Sequence, residues 1–187
     1  MAEKRTIYTI GHSTRSLEEF LALLEENQVK VLVDVRTIPR SRKNPQFNQE
    51  NLSRSLPRHG IEYVHLAALG GLRSHKQSDP PSSNTAWENA SFRNYADYAE
   101  TEAFQQGLAE LIALASKKRT AFMCAEALWW RCHRRIITDY LLQAGWKVWH
   151  VMSHGKLNVA EMNGAARPQS DGRILYPAAL DHPLSGS

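Results

Sequence analysis

The stretch Val29-Lys-Val-Leu-Val-Asp-Val35 decides the fold class of this chain. It is almost wholly apolar and β-branched, which is typical of a strand buried on both faces of a parallel sheet. Four other runs predict further strands, over residues 6–10, 61–66, 120–124 and 146–152. Because helical patterns separate these runs, we predict an α/β fold: a single domain with a largely parallel five-strand sheet flanked by helices.

Periodic apolar positions predict the helices between the strands. Ser16-Leu-Glu-Glu19 has the residues of a capping box and begins the first helix. Apolar residues at helical spacing predict a long helical region over residues 92–117, bent around Thr101 and Gly107, and another helix over residues 129–144.

The single domain is assigned to residues 1–162. Residues 74–90 form a polar excursion that is too short to be a second domain. Residues 163–187 contain three prolines and are predicted to form an irregular C-terminal tail. A hydrophobic content of 42% with 22% charged residues is typical of a globular protein and excludes a wholly disordered chain.

The composition also limits which cellular compartment and which classes of binding partner are compatible with this chain. No segment has the apolar length of a membrane span, and the first residues lack the apolar run of a signal peptide, so we expect a cytoplasmic protein without a membrane partner. The two cysteines are then expected to be reduced thiols. The net charge of +4 is compatible with an anionic small molecule or nucleic acid as partner, but is common in proteins that bind neither. The oligomeric state stays open.

Polar and glycine-rich segments follow four of the predicted strands. They are Gly11-His12-Ser13, residues 36–43, Gly70-Gly71 with Arg73, and Cys124-Ala-Glu126. Ligands in parallel sheets bind beyond the carboxyl ends of the strands. These distant segments are therefore expected to share one cleft.

The stretch Cys124-Ala-Glu-Ala-Leu-Trp-Trp-Arg-Cys-His-Arg-Arg135 holds both cysteines at the predicted junction of a strand and a helix. A helix N-terminus and neighbouring guanidinium groups can lower the pKa of a thiol, so Cys124 is the candidate nucleophile. Glu126 is a candidate acid or base, and His133 a candidate for proton transfer. Structural roles stay open for all three: a small buried hydrophobe, a first-turn helix residue and a core histidine bonded to backbone.

The candidate substrate-binding residues are mostly cationic, because guanidinium groups suit phosphate or carboxylate. They are His12, Ser13, Arg36, Arg40, Arg73, Cys132 and Arg134. Asp34 is expected to hold Arg36 or His12 in place. A solvated basic loop over residues 36–43 and a simple turn over residues 11–13 are the alternatives.

The roles within the predicted helix after Cys124 depend on where its side chains point. Cys132 is either a resolving thiol for Cys124 or a packing residue. Arg134 and Arg135 diverge by about 100° around a helix, so only one of them is expected to point at the site. A metal site built from both cysteines and His133 is disfavoured because their spacing is not that of the usual paired ligands. We therefore predict no metal or other cofactor.

Four motifs, taken in order, resemble those of one protein family. They are Gly11-His-Ser13, Val33-Asp-Val-Arg36 with Pro39-Arg-Ser41, Leu69-Gly-Gly-Leu-Arg73, and Cys124-Ala-Glu126 followed by Cys132-His-Arg134. Over about residues 6–153 the chain resembles domain-of-unknown-function family 488. The resemblance implies an α/β domain found mostly in bacteria and archaea, and it implies no particular reaction. The chain is also similar to rhodanese domains in part, but no Cys-x-x-Gly-x-Arg loop follows Cys124, so sulfur transfer is not inferred.

Three hypotheses follow from these observations. The first is a cleft for an anionic small molecule or nucleic-acid fragment, with phosphate as one candidate for the anionic group, with Cys124 and Glu126 as reactive groups and with Arg36, Arg40 and Arg134 holding the anion. The second is a non-catalytic nucleic-acid-binding module that uses the basic loop, whose affinity would fall steeply with salt. The third is a protein whose Cys124 and Cys132 form a redox-sensitive pair.

Overall fold

The computed structural model describes residues 5–179 of the chain. Its strands are β1 Thr6–Gly11, β2 Val31–Asp34, β3 Glu62–His65, β4 Thr120–Cys124, β5 Lys147–Ser153, β6 Lys156–Val159, β7 Arg167–Pro168 and β8 Ile174–Leu175. Its helices are α1 Leu17–Glu26, α2 Gln49–Ser55, α3 Ala90–Ala99, α4 Glu102–Lys117 and α5 Arg134–Gln143, with short 3-10 turns between them. Residues 1–4 and 180–187 lie outside the described range, and with them part of the predicted tail and of the N-terminal segment.

The main sheet has the strand order β3-β2-β4-β1-β5-β6. The pairs β1 with β4, β1 with β5, β2 with β3 and β2 with β4 are all parallel, which confirms the α/β prediction. The sixth strand, β6, is added to the five expected ones as an antiparallel edge strand beside β5. The sequence pattern did not reveal it because β6 has four residues, none of them buried, and therefore lacks an apolar signature.

Strand β2 explains why an unbroken apolar run predicts this architecture. Its successive side chains alternate between two hydrophobic cores, one on each face of the sheet. Val31 and Val33 belong to the core that α3, α4 and α5 cover, whereas Leu32 belongs to the core that α1 and α2 cover. Each of these side chains is at most 1% exposed, so neither face of the strand meets water.

Two predicted helices differ from the observed ones at their ends. The region over residues 92–117 is divided into α3 and α4, and the side chain of Thr101 accepts a hydrogen bond from the amide of Phe104 to cap α4. The prediction of a helix from residue 129 was wrong at its start, because α5 begins only at Arg134. A 3-10 turn covers Trp129–Arg131, and Cys132 is in extended backbone with φ −140° and ψ 172°, which interrupts the helix. Cys132 and His133 therefore precede α5 instead of lying inside it.

The described part of the predicted irregular tail is more regular than expected. Strands β7 and β8 pair antiparallel, and Ile174 and Tyr176 are fully buried in the main core. The hydroxyl of Tyr176 donates to Asp139 Oδ2 at 2.8 Å, and its amide donates to Asn84 Oδ1 at 2.9 Å. Proline content predicted irregular backbone, but two buried side chains are enough to hold this segment on the domain.

No helix among residues 5–179 combines the length and the apolar character needed to cross a bilayer.

We expect Asp139→Asn to change how stability depends on pH. Burial raises the pKa of Asp139 to about 6 despite the hydrogen bonds from Asn163 and Tyr176. The unfolded chain loses this proton near pH 4 and the folded chain only near pH 6, so the contribution of Asp139 to stability falls as pH rises through that window. Asp139→Asn removes the loss, which amounts to roughly 3 kcal/mol at two pKa units. Urea unfolding at pH 4 and pH 7 measures the free energy of unfolding of the native protein and of Asp139→Asn. If this free energy changed between the two pH values by the same amount in both proteins, the expectation would be contradicted.

Candidate functional site

A cleft of about 470 Å³ lies at the carboxyl ends of β1, β2 and β4. It is bounded by the segments after these strands, by Gly71 and Leu72, by the turn before α5 and by the start of α3. Its lining residues are His12, Arg36, Thr37, Ile38, Arg40, Ser41, Gly71, Leu72, Asn89, Ser91, Phe92, Tyr95, Cys124, Ala125, Glu126, Arg131, Cys132 and His133. Segments far apart in the sequence thus meet at one edge of the sheet.

The cleft is lined by seven of the ten candidate residues from the sequence, namely His12, Arg36, Arg40, Cys124, Glu126, Cys132 and His133. The other three lie elsewhere. Ser13, with φ 51°, donates its amide to the carbonyl of Ala125 at 2.9 Å and holds two loops together. Arg73 stacks 3.7 Å from the ring centroid of Tyr98 and donates to backbone carbonyls, outside the cleft. Arg134 lies behind the cysteines.

The two cysteines form a thiol pair at the base of the cleft. Their Sγ atoms are 3.3 Å apart, and both are free thiols. Cys124 ends β4 and is 3% exposed, whereas Cys132 is half-buried. The extended backbone of Cys132 places its Sγ in line with the first amide of α5, which donates to that sulfur from Arg134 at 3.4 Å. Cys132 therefore fills the position of a helix-capping acceptor.

The guanidinium of Arg134 is 1% exposed and carries a charge that needs a partner. Its Nε donates to Cys124 Sγ at 3.0 Å, its Nη1 to Thr9 Oγ1 at 2.8 Å and its Nη2 to the carbonyl of Glu126 at 2.6 Å. No carboxylate within residues 5–179 forms an ion pair with it. A buried cation without a counter-charge is strongly unfavourable, so the thiol pair is the group that can supply the negative charge.

The pKa values of the two thiols move in opposite directions. Burial opposes ionisation of Cys132, but the hydrogen bond from the Cys124 thiol and the charge of Arg134 outweigh it and lower the pKa of Cys132 to about 6. Burial and the hydrogen bond to Cys132 raise the pKa of Cys124. The pair therefore shares one proton near neutral pH, with the thiolate on Cys132 and the proton on Cys124.

His12 and Arg36 form a fixed neutralised group beside the cysteines. Arg36 donates to both carboxylate oxygens of Asp34, at 2.9 and 2.7 Å, and to the carbonyl of Phe47 at 2.7 Å, so the expectation that Asp34 holds Arg36 is confirmed. His12 Nδ1 donates to the carbonyl of Ser13 at 2.8 Å, which leaves Nε2 to accept from Arg36 at 3.3 Å. Burial lowers the pKa of His12 to about 4, so the imidazole is neutral. Arg36 thus has less charge to offer a ligand than its position suggests.

His133 is half-buried, and its neutral imidazole lines the cleft. Its Nε2 donates to the carbonyl of Val35 at 2.8 Å, and burial lowers its pKa to about 4. Its ring packs so closely on Gly71 that a Cβ there would overlap Nδ1, and a Cβ on Gly70 would overlap the backbone of Thr37. The two glycines permit a close approach within the protein itself, which is the structural reason for a Gly-Gly pair at this point.

Free cations and apolar side chains at the rim complete the cleft. Arg40 and Arg131 are exposed, and within the described chain neither guanidinium has a hydrogen bond or ion pair. Ile38 and Leu72 are 64% and 69% exposed at the rim, and Tyr95 lines the interior. Sequence analysis missed all of these except Arg40. Arg131 was not predicted because a helix beginning at residue 129 would have pointed its side chain in another direction. Ile38 could have been predicted, because an apolar residue inside a basic loop is unusual.

Cys132, as the thiolate of the pair, can support nucleophilic chemistry on an anion, whereas the sequence pattern had indicated Cys124 for that role. Glu126 is the single carboxylate among the lining residues, and its Oε1 accepts from the amide of Leu128 at 3.1 Å. Among residues 5–179, no group of three or more His, Cys, Asp or Glu side chains could hold a metal ion.

The chain belongs to the family described as domain of unknown function DUF488, whose model matches residues 16–141. The resemblance seen in the sequence motifs is therefore confirmed. The matched range contains both cysteines and Arg134, whereas β1, which contains Thr9, and the following residue His12 precede it. Searches of curated proteins and of solved structures found no significant match.

Proposed function

We propose that the cleft binds an anionic small molecule and acts on it through the thiolate of the Cys124–Cys132 pair. One observation carries this proposal: two thiols 3.3 Å apart line the cleft and are the only groups in the described chain that can balance the buried charge of Arg134. A thiolate is the nucleophilic form of cysteine, and a cationic surrounding increases its fraction.

The charges around the cleft support an anionic ligand. Arg40 and Arg131 have free guanidinium groups at the rim, against the single carboxylate of Glu126. Exposed Ile38 and Leu72 add an apolar surface beside these cations. This combination favours an organic anion with an apolar part over a small inorganic ion.

The size of the cleft favours a small molecule. A volume of about 470 Å³ lies within the usual range of small-molecule sites. The nucleic-acid hypothesis gains no specific support, because Arg42 and Lys43 of the basic loop do not line the cleft. Binding of single-stranded nucleic acid that falls steeply with salt would favour that hypothesis instead.

We expect a limiting amount of iodoacetamide to modify Cys132 at least tenfold faster than Cys124. The rate should rise with pH to a midpoint near 6, because the pKa of Cys132 lies there. The charged and titratable groups around the pair are Arg134, Arg36, Arg131, His12, His133 and Glu126. Both histidines have pKa values lowered to about 4 and stay neutral above pH 5, so they leave this midpoint unchanged. Peptide mass mapping of the alkylated protein measures both rates, and equal slow modification would overturn the proposal.

Protection by an organic anion tests the other half of the proposal. 2-Naphthoate should slow alkylation of Cys132, whereas the neutral 2-naphthalenemethanol should not. Arg40→Gln should weaken this protection several-fold. Arg42→Gln is the matched control, because Arg42 lies in the same loop, is exposed and does not line the cleft. Equal protection by the acid and the alcohol would show that charge has no part in binding.

A further inference from the structure

The distance between the two sulfurs defines what the pair can do after a first reaction. An oxidised Cys132 would have the Cys124 thiol 3.3 Å away, closer than any incoming reductant. Closing a disulfide from that position needs a movement of little more than 1 Å, since a disulfide bond is about 2.0 Å long. The pair is therefore arranged for a two-electron oxidation that ends in a disulfide.

Arg134 makes that disulfide a strong oxidant. In the reduced state the two sulfurs share one proton and one negative charge, and this charge balances the guanidinium that contacts Cys124 Sγ, whereas a neutral disulfide leaves the guanidinium without a counter-charge. A dithiol whose reduced form is selectively stabilised yields a disulfide that common thiols reduce readily. Such a dithiol cannot reduce an ordinary stable disulfide. It needs a more oxidising partner, and the oxygen–oxygen bond of a peroxide is one.

The surroundings assign different roles to the two cysteines. Cys132 is half-buried, lines the cleft and receives the first amide of α5, so its sulfur is accessible to a ligand and held as an anion. Cys124 is almost fully buried and can donate its proton to Cys132 or to the carbonyl of Glu126. The attacking group is therefore Cys132, and the resolving group is Cys124.

We propose that this pair reduces an organic hydroperoxide that carries an anionic group. The inference rests on the proposed function, since it gives the same cleft and thiols a substrate class. The free Arg40 and Arg131 would hold the anionic group, and Ile38 and Leu72 would contact the apolar part.

The reaction balances in three steps. The Cys132 thiolate attacks the terminal oxygen of ROOH, the O–O bond breaks, and RO⁻ leaves and takes a proton from water to give ROH and hydroxide; the proton that Cys132 loses when it is regenerated as a thiolate neutralises this hydroxide. Cys132 is then a sulfenic acid, which the Cys124 thiol attacks to form the Cys124–Cys132 disulfide and release water. Two molecules of a low-molecular-weight thiol reduce this disulfide and leave as their own disulfide.

Oxidation by one equivalent of three peroxides tests the proposal. The reduced full chain should lose two hydrogens by intact mass with linoleic acid hydroperoxide at least tenfold faster than with cumene hydroperoxide or hydrogen peroxide. The proposal would be overturned if both thiols stayed reduced with all three peroxides. It would also be overturned if the three oxidation rates were equal to one another and to that of free cysteine. An oxidised protein that stays largely a disulfide in an equimolar mixture of reduced and oxidised glutathione would overturn the argument from Arg134.

Variants distinguish the roles of the two thiols from the role of the cations at the rim of the cleft. In Cys124→Ser, and in Cys124→Ala as a second variant, Cys132 should accumulate as a sulfenic acid that dimedone traps. In Cys132→Ser, the fast reaction should be lost. Arg131→Gln should slow the reaction with linoleic acid hydroperoxide several-fold and leave cumene hydroperoxide unaffected. Arg42→Gln, outside the cleft, should change neither the rate with linoleic acid hydroperoxide nor the rate with cumene hydroperoxide. If all variants lost the reaction to the same extent, the roles assigned to the two cysteines and to Arg131 would be contradicted.

The two proposals fail in different ways. Slow, equal alkylation of both cysteines would remove the proposed function and this inference together. Fast alkylation of Cys132 with protection by 2-naphthoate, but without loss of two hydrogens after peroxide, would remove only the inference.

Discussion

Replacing Gly11 by alanine is expected to destabilise the protein by about 3 kcal/mol. A Cβ on Gly11 would overlap the carbonyl group of Glu126 and the Cα of Ala127. This backbone cannot move aside easily, because the amide of His12 donates to the carbonyl of Cys124 and the amide of Ser13 to that of Ala125, both at 2.9 Å. The loop that carries the reactive pair crosses directly over β1, and glycine is what permits the crossing.

Urea unfolding with circular dichroism measures the effect of Gly11→Ala. Gly164→Ala is the matched control, because a Cβ there meets nothing within 4 Å and the backbone φ is not positive. The control should change the free energy of unfolding by less than about 0.5 kcal/mol. A loss below about 1 kcal/mol for Gly11→Ala would mean that the loop over residues 124–127 can shift without cost.

Replacing Arg134 by leucine is expected to remove the reactivity of Cys132. Without the guanidinium, the pKa of Cys132 should return towards that of an ordinary thiol, and the alkylation rate at pH 6.5 should fall about 30-fold. Thr9 Oγ1 and the carbonyl of Glu126 would also lose their donors, so stability should fall by about 3 kcal/mol. Arg134→Lys keeps the charge but not the three donor directions, and should restore part of the rate.

The rate of alkylation against pH, followed between pH 5 and 9, measures this effect separately from stability. Arg135→Leu is the matched control, because Arg135 is the next residue of α5 and stacks over Trp87 at 4.9 Å from the ring centroid. It should leave the pH profile unchanged. A midpoint that stays near 6 in Arg134→Leu would show that the thiolate does not depend on this guanidinium.

The sequence predicted the fold wherever burial imposes a composition. Residues 31–33 lie between two helix layers and are all apolar. Ser16 caps α1 as expected, since its Oγ accepts from the amide of Glu19 at 3.1 Å. Strand β6 was missed because an exposed edge strand has no such constraint. The start of α5 was misplaced because one extended residue, Cys132, interrupts a pattern that continues on both sides of it.

The site was predictable in position but not in detail. A parallel sheet brings the ends of β1, β2 and β4 together, so the convergence on one cleft follows from topology. The ion pair of Arg36 with Asp34 was expected, because the two residues are close in the sequence. The partner of Arg134 depended on three-dimensional contacts that no spacing encodes: among residues 5–179, the two thiols are the groups that can supply its counter-charge. The length of the interrupted turn, not the residue types, determines that Arg134 faces the cysteines and Arg135 does not.

The central position of β1 has a consequence for how the protein is made. Of the strands in the main sheet, β1 is synthesised before the others, yet its neighbours are β4 and β5, and Gly11 pairs with Cys124 more than a hundred positions later. Contacts between residues so distant along the chain form slowly, because long loops must close first. The nascent apolar segment with Ile7 and Ile10 therefore stays unpaired until β4 and β5 have been synthesised, and during that time it is exposed to chaperones and to aggregation.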